Sequence, residues 1–358
     1  MPKRSCFLLV NTSAICLHRF GRFGVPAPAE YVYSAKRLAF GQGSQEVVYS
    51  SLPYHLQGMG LQKGFSLNQT IEKETSGQER RTAHVIHYKL SYILQGAEWG
   101  PDGAIVLLHD IMGGAFTWRD VLPRLSTLNR AVYVVDMLGY GESDHPWLSD
   151  ISIWGHADCL QFLFEQLDLT NIVLVGHGIG GGVAQVLATR LSRDRVAALV
   201  LIDTIAYNYT FASDWPLPDM KEQQKPDRPM EIKLEDMIHE LQETLPEGTQ
   251  KPDRFKQSMN DWIEPWNSDL GKEVLFLQIR LLLPNYSNSV ATDLKTMGKP
   301  TLIIWGEHDA QMPLEIAQRL HREIPESRLV IVPNAGHLIL FDAPGDVARA
   351  IEDFVGRL

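Results

Sequence analysis

The sequence predicts an α/β fold: a mostly parallel central sheet, helices on both of its faces, and a helical segment inserted late in the chain. Three observations predict it. Short apolar runs alternate with helical patterns along most of the chain, an order that implies right-handed crossovers between parallel strands. A glycine-rich turn, Gly176-His177-Gly178-Ile179-Gly180, follows the apolar run that starts at Ile172 and leads into a helical pattern. The alternation then breaks between about residues 205 and 295, where tryptophans, prolines and amphipathic stretches such as Leu234 to Leu245 take over.

Taken in order, residues 1–80 read as a loosely ordered extension. No acidic residue precedes Glu30, while Lys3, Arg4, Arg19 and Arg22 are basic. The apolar stretch Cys6 to Val10 is interrupted by Asn11, Thr12 and Ser13, and Ala27-Pro28-Ala29 is a poor cleavage site. A cytoplasmic location is therefore expected, with a targeting segment as the weaker alternative. Ala83 to Tyr88 and Leu90 to Leu94 alternate apolar and polar residues, which predicts an antiparallel entry hairpin. Strands are then expected near 104–108, 131–135, 172–176, 197–202, 301–305 and 328–332. Helices are expected near 116–126, 153–167, 181–192, 313–323 and 344–356. Residues 81–204 and 296–358 form the expected core, and 205–295 the inserted helical cap.

The bulk properties narrow the function. With 44% hydrophobic and 21% charged residues over 358 positions, the composition is that of an ordinary globular protein. A formal net charge of −10 argues against nucleic acid, which calls for a basic face. No apolar run approaches the roughly 20 residues that span a bilayer. Cys6, Cys16 and Cys159 make neither a disulfide framework nor a ligand spacing, so no metal is expected. No cofactor motif is present, and the oligomeric state is left open.

Five segments in order carry a resemblance. Ala104 to Asp110 resembles a strand with the turn that supplies an oxyanion hole. Val134 to Asp144 resembles a D-x-x-G-x-G-x-S-D loop, and Gly176 to Gly180 has the shape of a nucleophile elbow. Trp305-Gly306-Glu307-His308-Asp309 resembles a strand end bearing an acid, and Asn334-Ala335-Gly336-His337 a loop bearing a base. From about residue 82 onward the chain resembles the α/β-hydrolase fold family, in its epoxide hydrolase and haloalkane dehalogenase branch. The resemblance implies a small-molecule substrate, with His337 as base and Asp309 as its acid partner. The nucleophile position falls on Gly178, which has no side chain.

Further roles follow from the same resemblance. The oxyanion donors would be the backbone N–H groups of Ile179 and of Asp110 or Ile111. Asp110 replaces the family's glycine and would oppose a developing oxyanion unless it points away. Trp118, Trp215 and Trp262 are candidate substrate-binding residues. Asp203 is a second possible acid but is expected to cap the entry to the insertion, and His177 is expected to point into the packing beneath the turn. Dehalogenation is disfavoured, because the halide-holding positions carry Ile111 and Ile179. The expected function is hydrolysis of a small, largely apolar ester- or epoxide-type substrate. Two alternatives stand beside it: a catalytically inactive protein that binds or senses a small apolar ligand, and cofactor-independent chemistry by a His337/Asp309 dyad. The flanking residues resemble members with Asp at the elbow, so Gly178→Asp is expected to gain activity.

Overall fold

The computed structural model describes residues 72–73, 78–96, 102–146, 149–207, 232–282 and 288–358. The expectations for residues 1–71 and for Trp215 lie outside the described residues. Among the described residues, nine strands form one sheet: β1 (Glu72–Lys73), β2 (Gln78–Val85), β3 (Tyr88–Gln95), β4 (Ala104–Leu108), β5 (Ala131–Val135), β6 (Ile172–His177), β7 (Val196–Ile202), β8 (Thr301–Gly306) and β9 (Arg328–Val332). Their order is β1-β2-β3-β5-β4-β6-β7-β8-β9. The pairings from β1 to β3, and of β3 with β5, are antiparallel, and every pairing from β5 to β9 is parallel. The entry hairpin is present, with β2 starting at Gln78, before the expected core boundary at residue 81.

The central strands are buried along their whole length because both faces of the sheet are covered. Alternate residues feed two separate apolar clusters: Ile105, Leu107, Val173 and Val175 on one face, Val106, Leu108 and Leu174 on the other. That is the period of two expected of a strand. Helices of the described chain include α1 (Leu122–Leu125), α2 (Ile153–Gln166), α3 (Ile179–Val186), α4 (Leu234–Thr244), α5 (Asp269–Leu281), α6 (Leu314–Glu323) and α7 (Pro344–Val355). In α7 the buried residues Val347, Ala348, Ile351 and Phe354 make one stripe, as helical periodicity requires. Ser152 caps α2, its hydroxyl accepting from the Gly155 N–H at 3.3 Å.

One expected helix is corrected. Residues 116–126 are not continuous: a 3-10 turn covers Ala115–Trp118 and α1 begins only at Leu122. Pro123 sits in the first turn of α1, where its missing N–H costs nothing. Between β7 and β8 the described chain is helical, with α4 and α5 joined through the short helices Pro252–Phe255 and Met259–Ile263. This insertion is tied to the core at its strand ends. Gln278 Nε2 donates to the Gly139 carbonyl at 3.0 Å, and the Leu338 N–H donates to the Gly248 carbonyl at 2.7 Å. No helix among the described residues is long and apolar enough to cross a membrane.

Candidate active site

The site forms where four strand ends meet. β4 delivers His109 and Asp110, β6 delivers His177 and Gly178, and the loops after β8 and β9 deliver Asp309 and His337. Ligand crevices of open parallel sheets lie at such carboxyl ends. Gly178 has φ 53° and ψ −117°, a backbone conformation that glycine adopts freely and other residues adopt at a cost. Gly176 lies against the Gly180 backbone, so the helix after the turn can pack directly on the strand.

His337 is buried between two carboxylates. Its Nδ1–H donates to Asp309 Oδ2 at 2.8 Å, and its Nε2–H donates to Asp110 Oδ2 at 2.9 Å. Burial alone would lower its pKa, but Asp309 and Asp110 outweigh that and hold it well above the ordinary histidine value. Asp309 is itself fixed, its Oδ1 accepting from the Gln311 and Met312 N–H groups at 2.8 Å each. The loop carrying His337 is held by Asp342, whose Oδ2 accepts from the Gly336 N–H at 2.8 Å and the Gln250 N–H at 2.9 Å. Thr249 Oγ1 donates to the other Asp342 oxygen.

Asp110 does not point away from the elbow. Its side chain points into the site. Oδ1 accepts the Ile179 N–H at 2.7 Å, the donor expected to serve an oxyanion, while Oδ2 meets His337. Burial pushes the Asp110 pKa up, but the His337 hydrogen bond and charge win and hold it below the usual carboxylate value. His109 aims this residue: its Nδ1–H donates to the Asp110 carbonyl at 2.7 Å and its Nε2 accepts from the Met137 N–H at 3.0 Å. A Cβ at Gly178 would overlap the Asp110 carboxylate. A side chain introduced by Gly178→Asp would therefore have to displace the Asp110 carboxylate before it could act.

Other expectations sort as follows. Ile111 is fully buried in the apolar cluster, and the contact at the Ile179 N–H comes from Asp110 instead. Trp118 is also fully buried, packed with Val121, Leu125 and Val132 on one face of the sheet, so it supports the core rather than lining a cleft. Trp262 does line a cleft beside the site, with Phe116, His177, Leu338, Leu340 and Phe341. His177 thus faces that cleft and not only the packing beneath, and its Nε2–H donates to the His337 carbonyl at 2.9 Å. Burial lowers its pKa to about 4, so it is neutral near pH 7.

Asp203, the second possible acid, lies at the end of β7. It is fully buried, its Oδ1 accepts the Gly306 N–H at 2.8 Å, and burial together with the Asp309 charge holds its carboxyl well above the usual range. Asp342 gave no signal in the sequence beyond its closeness to His337. In donor type, Asp110, His177 and His337 are a set that could hold a metal, since one ligand atom from each lies within 4.8 Å of the others. Both ring nitrogens of His337 are nevertheless engaged by carboxylates.

The sequence profile of the family described as alpha/beta hydrolase fold matches residues 103–344. The chain belongs to the α/β-hydrolase fold family. Mouse monoacylglycerol lipase ABHD6 is 28% identical over 294 residues, which is 80% of this chain and 85% of that one. Among solved structures, an α/β-hydrolase fold protein from Burkholderia ambifaria superposes with a TM-score of 0.67 at 21% identity, covering 80% of this chain and all (100%) of that one. The epoxide hydrolase CorEH superposes with a TM-score of 0.65 at 20% identity, covering 78% and 99%.

Proposed function

We propose that the protein hydrolyses a small, largely apolar substrate of the ester or epoxide type at His337. The observation that supports this reading is the His337 ring, held by Asp309 on one nitrogen and turned on the other toward the elbow. An imidazole so oriented moves protons to and from a reacting group, and its carboxylate partner sets the tautomer and stabilises the charged form. The Ile179 N–H, at the start of α3, supplies a backbone donor for negative charge that develops beside it. Phe116, Trp262 and Phe341 give the cleft an aromatic wall beside the charged Arg119 and Asp120, which favours a substrate with an apolar body. The relation to a monoacylglycerol lipase supports an ester, and the sequence around the elbow supports an epoxide.

The test is a panel of p-nitrophenyl esters and aryl epoxides, run on the full chain and on His337→Ala. Turnover that disappears in the variant supports the reading. A serine-directed fluorophosphonate probe should leave the protein unlabelled, since Gly178 offers no hydroxyl.

A second reading has its own support. The Asp110–His337–Asp309 network is almost completely shielded from solvent, and a closed ionic network suits a protein that keeps the pocket for binding. Ligand-dependent thermal stabilisation without turnover in either form would favour that reading.

A further inference from the structure

We infer that Asp110, entering from the end of β4, is the nucleophilic residue of this site and takes over from the absent side chain at Gly178. The inference rests on the hydrolase reading above and names the group that attacks. Three observations carry it. The Asp110 carboxylate fills the volume that a side chain at residue 178 would enter. One of its oxygens already sits on the backbone donor of the elbow, 2.7 Å from the Ile179 N. The other lies 2.9 Å from His337 Nε2, within reach of the group that must later deliver water. A carboxylate that attacks carbon is served by this division: Oδ1 stays on a fixed backbone donor, while Oδ2 gives up its hydrogen bond from His337 Nε2–H as the new bond forms and that proton passes to the leaving oxygen.

The chemistry selects the substrate class. A carboxylate attacking an acyl carbon would form an anhydride, whereas attack on a strained alkyl carbon forms an ordinary ester. An epoxide is therefore the substrate that fits. Asp110 Oδ2 attacks a ring carbon, the ring C–O bond breaks, and the released alkoxide takes the Nε2 proton of the His337 imidazolium. The product of this step is a hydroxyalkyl ester on Asp110 and a neutral imidazole. Forming the ester removes one of the two negative charges that keep His337 protonated, so the ring becomes a base when a base is required.

Water then adds to the Asp110 carboxyl carbon as His337 accepts its proton. The tetrahedral oxyanion develops on Oδ1, beside the Ile179 N–H. Collapse breaks the bond from that carbon to the alkyl oxygen, and the diol leaves with the proton from His337. The Asp110 carboxylic acid then returns its own proton to His337. Epoxide and water are consumed, a diol is formed, and no oxidant or metal is needed.

The experiment uses the full chain with styrene oxide in heavy-oxygen water. The heavy oxygen is expected in the peptide containing Asp110, and in a single turnover the diol should carry none of it. Asp110→Asn should lower kcat/KM by at least about 100-fold, with circular dichroism unchanged. His337→Gln should accumulate a covalent adduct that maps to Asp110. Label appearing in the diol at the first turnover, with none in Asp110, would overturn the inference while leaving the hydrolase reading standing. So would hydrolysis of esters with no epoxide turnover. Activity that a chelator abolishes and added zinc restores would also overturn it, by making Asp110, His177 and His337 metal ligands. No turnover and no adduct with any ester or epoxide would remove both readings together.

Discussion

Asp110 occupies the space that any side chain at Gly178 would need, and its carboxylate accepts the N–H of the very next residue, Ile179, at 2.7 Å. Two positions far apart in sequence therefore exclude one another. A side chain can come from β4 or from the elbow, and in this chain it comes from β4.

The first expected consequence concerns the turn itself. Gly178→Ala places a Cβ at φ 53° and against Asp110. A non-glycine residue in such a conformation costs about 1–3 kcal/mol, and overpacking a buried site adds roughly 1–3 kcal/mol. The urea midpoint should fall accordingly, with the slope unchanged. A midpoint equal to wild type would show that Asp110 moves aside freely.

The second concerns the acid. Asp309→Asn removes the carboxylate that fixes His337 Nδ1 and contributes most to its raised pKa. Leaving the buried imidazole with a poorer partner should destabilise the protein by about 3–5 kcal/mol. Turnover, measured on whichever panel substrate is hydrolysed, should fall on the order of a thousandfold or more. A variant that keeps its full rate would exclude Asp309 from the site.

The third concerns pH. His156 is buried beside Tyr140 with neither ring nitrogen partnered among the described residues. Burial lowers its pKa from 6.5 to about 3. The unfolded chain takes up a proton near pH 6.5 while the folded chain does not. The stability this histidine contributes is therefore complete above that pH and is lost as pH falls toward about 3. Each unit of pH in that window should remove about 1.4 kcal/mol. His156→Phe should flatten this acid limb, so that the loss of stability from pH 7 to pH 5 shrinks by about 2 kcal/mol. Parallel acid limbs in the two proteins would assign the proton uptake elsewhere.

The fourth concerns the clamp on the base. Asp342→Ala deletes the acceptor shared by the Gly336 and Gln250 N–H groups and by Thr249 Oγ1. Buried donors left unpaired cost about 1–3 kcal/mol each. Amide exchange should accelerate at Gly336 to Leu338 and at Thr249 to Lys251 together, since the one carboxylate joins the two segments. Exchange rising in only one of them would show that the segments are held independently.

What the sequence made legible followed from periodicity and glycine spacing. The runs at Ala104 to Leu108 and Ala131 to Val135 are wholly apolar because both sheet faces bury them, so the parallel strands stood out. The elbow was readable from Gly176, Gly178 and Gly180, whose close approaches admit no side chain. The direction of the Asp110 side chain was not readable, since it depends on a vacancy at Gly178 contributed by another strand. Trp118 was misplaced for a similar reason: the breaks around Ala115 to Leu122 turn it onto the sheet face, and no local pattern announces that turn. Asp342 belongs to a hydrogen-bond network joining two distant segments, a kind of feature that single-sequence patterns do not reveal.

The most direct test of the structural exchange between the two positions is a double-mutant cycle of Gly178→Ala and Asp110→Gly, read as unfolding free energy. If Asp110 fills the space of the missing side chain, Gly178→Ala should cost less once residue 110 is glycine, and the coupling should favour the double variant by at least about 1 kcal/mol. Losses that simply add would mean that the two positions do not share that space, and the replacement of the elbow side chain by Asp110 would be refuted.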